Sequence, residues 1–111
     1  MSRIAPVFLL GLLPIAMGCG VSGGGETRAD AILALDADPV AGADVYDAEC
    51  AVCHGISGEG GTGPSMAAVM EDLGRLAVID VLIDGSGNMP DFADLPDQDI
   101  ADVSLYLEEN F

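Results

Sequence analysis

The 111-residue chain contains no Lys, no Trp, one His and three Cys, and its three cations, Arg3, Arg28 and Arg75, stand against 19 acidic residues. Each shortage excludes something. With a formal net charge of -16 and no basic cluster, the chain has nothing to track a phosphate backbone with, so nucleic acid is excluded as a partner. Long apolar runs are also scarce. Ile4 to Met17 is the single such stretch and holds Pro6, Gly11 and Pro14, which makes it signal-peptide sized and too short to span a bilayer. No run of alternating or β-branched residues reads as a strand, so the expected class is all-α.

What is present is concentrated in Cys50-Ala51-Val52-Cys53-His54. Two thiols three positions apart followed directly by an imidazole is the spacing for covalent haem c attachment. In that reading Cys50 and Cys53 add across the two vinyl groups as thioethers, and His54 lies under the iron. A bare Cys-x-x-Cys also serves thiol redox enzymes and zinc sites. Neither explains His54 as well. A zinc site wants more ligands, yet the remaining Cys is Cys19 and there is no second His. A thiol oxidoreductase wants the motif to open a helix within a βαβ frame, and no strand is on offer.

The N-terminal part divides into two pieces. Residues 1–18 are expected to be a cleaved signal peptide, because Ala16 and Gly18 are the small residues that signal peptidases accept. An uncleaved anchor is the competing reading, since the uncharged run continues to Gly25, but its second half is Gly- and Ser-rich. Ile15-Ala16-Met17-Gly18-Cys19 resembles a lipobox, with Ala16 where a larger aliphatic residue is usual. Cysteine arithmetic agrees: Cys50 and Cys53 are claimed by haem, and the odd one falls at the cleavage junction. Acylation would remove an exposed thiol there; loss with a longer leader, or pairing between molecules, are the alternatives. Residues 19–37 are then a lipidated N-terminus and flexible linker, with Gly20 to Gly25 as the tether. Glu26 to Ala37 reads equally well as a short helix or as solvated linker.

The domain is expected over residues 38–111. Asp38-Pro39 is an N-cap followed by a favoured first helical residue, which starts a helix towards Cys53. Gly42, Tyr46, Cys50 and Cys53 share its face. Five Gly and Pro64 follow within ten residues of His54, so the chain there is a loop able to pass close to a flat ligand. A weak helical pattern covers Met66 to Leu73. A stronger one puts Leu76, Ile79 and Ile83 on one face with Leu82 beside it, and Gly85 stops it. The last helix runs from about Asp97 to Glu109, with Ile100, Val103, Tyr106 and Leu107 inward and Asp97 and Asp99 at its positive end. Tyr106 is placed to cross Gly42 and Tyr46 at a close contact.

Between these last two helices, Ser86-Gly87-Asn88-Met89-Pro90 is turn chemistry that presents a methionine. A thioether is the natural sixth ligand opposite a proximal His, so Met89 is expected on the iron, whereas Met66 and Met70 are expected to fill the core.

From Asp38 to Phe111 the pattern resembles the class I family of small monohaem c-type cytochromes. Gly42 and Tyr46 precede the attachment motif, Gly63-Pro64 follows it, Gly85 leads to Met89-Pro90, and Tyr106 lies in the final helix. The resemblance implies three to four short helices around one covalently bound haem, with the first and last crossing near Gly42 and Tyr106. It also implies that the Pro64 carbonyl accepts a hydrogen bond from His54. The departures are the missing Trp and the missing basic docking ring. Arg75 is the only cation from Asp38 onwards; it is expected at a haem propionate or, equally, paired with Glu71 or Asp72.

The expected function is an extracytoplasmic electron carrier on the periplasmic side of a bacterial membrane, held by a lipid at Cys19. It is not an enzyme and takes no small-molecule substrate. Its redox partners would present a basic docking surface to the acidic chain, unless the acidity is adaptation to salt. The alternatives are a haem subunit of a larger dehydrogenase or oxidase, or a sensor or peroxidatic haem if Met89 does not ligate.

Overall fold

The computed structural model describes Gly11 and residues 26–111. The expected signal peptide, Gly11 apart, and Cys19 with the Gly-rich stretch after it lie outside the described residues. Among those described, the regular structure is helical: α1 (Arg28–Leu33), α2 (Pro39–Val45), a π-helical turn (Tyr46–Cys50), α3 (Ala51–His54), α4 (Met66–Asp72), α5 (Arg75–Asp84) and α6 (Asp97–Asn110). The α2, π and α3 segments are continuous, so four helices occupy the stretch from Asp38, as the class I resemblance implies. A fifth, α1, precedes them.

α1 takes the short-helix reading of Glu26 to Ala37 over the solvated-linker one. Thr27 caps it: the Thr27 hydroxyl accepts from the Asp30 amide at 3.1 Å, and the Asp30 carboxylate accepts from the Thr27 amide at 3.1 Å. These two reciprocal bonds satisfy donors a short helix otherwise leaves orphaned. The Thr27 amide, and the Thr27 hydroxyl at 2.8 Å, both reach Asp30 Oδ2 and hold that carboxyl below its ordinary pKa. Ile32 is fully buried and Ala29 nearly so, because α1 lies on α5 and α6. The folded unit therefore starts about ten residues before Asp38.

α2 starts where the sequence places it, with the Asp38 side chain accepting from the Val40 amide at 2.9 Å. Its principal partner is α6. Gly42 is what allows the two backbones to meet. A Cβ there would collide with the Asp102 carbonyl and stand 2.9 Å from the Tyr106 Cβ. Asp102, buried in α6, accepts from the Asp38 amide and from Gln98 Nε2, each at 2.8 Å, so the crossing is also tied by hydrogen bonds. Gly42→Ala is expected to destabilise the haem-loaded protein by about 1–3 kcal/mol, as overpacking does, although Ala is the better helix former by about 0.5–1 kcal/mol. The denaturant midpoint reads this, and an unchanged midpoint would show that the helices can part without loss.

Two side chains depart from expectation. In α5 the buried face is Val78, Ile79 and Leu82, while Leu76 is 38% exposed. α5 is covered by α1 and α6 from sides that the periodicity of one helix cannot foretell. Arg75 meets neither Glu71 nor Asp72. Its Nε donates to Ser104 Oγ and its Nη2 to the Ala101 carbonyl, both at 3.0 Å, because the start of α5 lies against α6 and Ser104 is wholly buried there. Met66 is buried and Met70 packs partly against the core, as expected of both.

Candidate haem site

The helical run carrying the attachment motif changes pitch at the residue that anchors it. Between Tyr46 and Cys50 the backbone widens to a π turn, a device that often marks functional stretches of helices. Tyr46 is fully buried and Cys50 nearly so. The Tyr46 ring lies 5.7 Å from the Tyr106 ring and 6.3 Å from Phe111, and its hydroxyl donates to the Gly55 carbonyl at 2.6 Å. Burial keeps that hydroxyl above the usual phenol pKa, so it stays a donor.

The loop after His54 folds back under the end of α3 and satisfies its carbonyls. The Gly63 amide donates to the Cys53 carbonyl and the Gly60 amide to that of His54, each at 2.8 Å. Such carbonyls have no partner inside the helix. The wrap brings Gly63 flat against the imidazole: a Cβ there would stand 2.7 Å from His54 Cε1 and 2.9 Å from Nδ1. It also brings the Pro64 carbonyl to 2.8 Å from His54 Nδ1. A carbonyl only accepts, so this bond places the proton on Nδ1 and leaves Nε2 as the free nitrogen.

Met89 is placed by the other wall. Gly85, at φ +75°, ends α5, and a Cβ there would crowd the Met89 carbonyl at 2.9 Å. Ser86 and Met89 then exchange two backbone hydrogen bonds, of 3.2 and 2.8 Å, across a turn with Gly87 at φ +56°. The Phe92 amide closes onto the Leu82 carbonyl at 2.6 Å.

Cys50, Cys53, His54, Pro64 and Met89 all line one cavity of about 510 Å³, whose remaining walls include Val69, Leu73, Val78, Leu82 and Phe92. That size is within the range of cofactor sites. The donor set fits a haem: two thiols one helical turn apart, a nearly buried imidazole with its outer nitrogen already bonded, a thioether, and apolar walls. It does not fit the competing chemistries. Burial, with the charges of Glu49 and Cys53 beside it, pushes the free Cys50 thiol up to about 11, the reverse of what a thiol-redox nucleophile needs. Nor do Cys50, Cys53 and His54 converge as zinc ligands do, since among the described residues no three His, Cys, Asp or Glu side chains gather at metal-binding spacing.

Three features escaped sequence reasoning. The Tyr46 hydroxyl bond and the Asp102 ties depend on tertiary contacts and left no local signal. The Thr27 to Asp30 spacing did leave one, a capping box with Asp in place of the usual Glu or Gln.

Comparison with known proteins shows the family. A family model described as "Cytochrome C oxidase, cbb3-type, subunit III" matches residues 37–107. The chain is 37% identical over 78 residues to a "Cytochrome c-553-like" protein of Synechocystis sp., which covers 69% of this chain and 73% of that one. It is 28% identical over 91 residues to "Cytochrome c-551" of Bacillus subtilis, covering 82% and 80% respectively. The chain belongs to the class I monohaem c-type cytochromes. It is a haem c electron carrier, an electron-transfer protein and not an enzyme.

Proposed function

We propose that the chain carries single electrons outside the cytoplasm, with the haem held covalently by Cys50 and Cys53 and its iron ligated by His54 Nε2 and Met89 sulfur. The observation that carries this reading is the engagement of His54 Nδ1 by the Pro64 carbonyl in a cavity that Met89 also lines. When bound, the haem supplies a one-electron ferric–ferrous couple. The chain's residues do the rest. Pro64 and Gly63 fix the tilt of the imidazole and raise its basicity, as partners of ligating His residues do. The pair of backbone hydrogen bonds between Ser86 and Met89 holds the thioether in place, and the apolar walls would keep water from the iron. With His54 and Met89 both on the metal, no position would be left for a substrate, which would suit outer-sphere transfer.

The acidic surface supports partners that present positive charge. Val52 and Ile56, 84% and 80% exposed beside the attachment residues, give such a face an apolar centre. The lipobox-like stretch before Cys19 supports export and a lipid anchor on the periplasmic side. Among the described residues no helix is long and apolar enough to cross a membrane.

The test is the visible spectrum and carbon monoxide reactivity of the holoprotein. Low-spin spectra in both oxidation states and no rapid carbon monoxide binding are expected. A high-spin ferric spectrum with fast binding would mean an open iron, hence a sensor or peroxidatic haem. Mass spectrometry of the same preparation reads whether Cys19 carries acyl chains. The family description favours one second reading, a haem subunit of a larger oxidase. Purification as a stable monomer would count against it.

A further inference from the structure

We infer that Arg28, on the helix ahead of the stretch matched by the family model, is a positioning residue for Met89. Its guanidinium spans the segment that joins Met89-Pro90 to α6. Nη1 donates to the Ala93 carbonyl at 3.0 Å and Nη2 to the Leu95 carbonyl at 3.2 Å. Nε and Nη2 reach Asp97 Oδ1 at 2.9 and 2.8 Å. Arg28 is itself held, because Ile32 and Ala29 bury α1 in the core and the Thr27 to Asp30 box closes its first turn.

The inference rests on the reading that Met89 binds iron. The two halves of the loop are secured differently. From Gly85 to Phe92 it is tied by its own backbone, through the Ser86 and Met89 pair and the bond from Phe92 to Leu82. From Ala93 to Asp97 two local bonds, from the Leu95 amide to the Phe92 carbonyl at 3.0 Å and from the Ala93 amide to Asp91 Oδ1 at 3.2 Å, shape the turn, and the guanidinium fork is what fastens it to another element. The ion pair is half exposed, at 36% and 50% for the two side chains, and contributes little by itself. The carbonyl bonds matter more, since a planar fork satisfies several acceptors with little added loss of freedom. Releasing them frees the downstream end of the loop, so the thioether leaves the iron more often. The His54 side, secured by Gly63 and Pro64, is untouched.

The experiment uses the ferric holoprotein with imidazole as a competing ligand. Imidazole enters when Met89 swings away, so its binding reports loop opening. In Arg28→Gln, binding is expected roughly three- to tenfold tighter, the worth of one or two hydrogen bonds. The sulfur-to-iron absorption band is expected to melt before the helical circular dichroism, whereas the two melt closer together in the wild type. Arg28→Lys keeps the charge and stem but not the fork, and is expected to behave like Gln. Three results would overturn the inference: wild-type imidazole affinity in Arg28→Gln, band and helix shifting by equal amounts, or full rescue by Lys. Failure of the ligation reading is distinct. It would show as a wild-type spectrum whose sulfur band is absent or survives Met89→Ala.

Discussion

Replacing Cys50 and Cys53 together by Ala is expected to yield a colourless chain that has lost most of its helix. The reason is the size of what the helices enclose. Holding a dry apolar cavity open costs about 24 cal/mol per Å³, so a void of about 510 Å³ would cost on the order of 10 kcal/mol. That is comparable with the whole stability of a domain, about 5–15 kcal/mol. Admitting water lowers the figure but leaves Val69, Leu73 and Phe92, only partly buried by the protein itself, facing solvent. α4, α5 and α6 are short, between 7 and 14 residues, and helices of that length are marginal without packing. Far-ultraviolet circular dichroism of the double variant, compared with the holoprotein, is the measurement. Native-like ellipticity would show that the α2 and α6 crossing and the α1 clasp sustain the fold unaided.

Met89→Ala is expected to leave the fold standing and change the iron. Its turn is held by backbone bonds between Ser86 and Met89 and between Phe92 and Leu82, none of which needs the side chain. The weak ferric band at the red end of the visible spectrum should vanish, ferrous carbon monoxide binding should become fast, and the reduction potential should fall by on the order of 100–300 mV, since Met ligation raises it and axial ligands together span about 0.8 V. Met66→Ala is the control. Met66 is buried against the same cavity, so its loss should cost roughly 2–5 kcal/mol of stability and leave the band in place. A band that survives Met89→Ala would remove Met89 from the iron.

Gly63 shows where the two levels of description meet. In the sequence it is one of five glycines in a loop, and only the family resemblance sets Gly63-Pro64 apart from the others. In the fold it is the surface against which the imidazole lies, and a methyl group there would push on Cε1. Arg75 shows the opposite. Its neighbours in sequence, Glu71 and Asp72, suggested a surface pair, but a buried hydroxyl on a helix 29 positions away takes the hydrogen bond. Intrahelical spacing predicts pairs only where no tertiary partner competes.

The sequence by itself determined the chemistry and the order of the elements. The spacing of Cys50, Cys53 and His54, the cap at Asp38-Pro39, and the glycine and proline signals around Pro64, Gly85 and Met89 are all local, acting over a few residues through backbone geometry and covalent reach. Tertiary structure decided what depends on contact at long sequence separation. It recruited α1 into the core, turned Arg75 towards α6, chose which face of α5 is buried, and brought Tyr46, Asp102 and Arg28 to the carbonyls and amides that they hold. Those outcomes are set by which surfaces meet when short helices close around one apolar cavity, and the pattern within each helix carries no record of its neighbours.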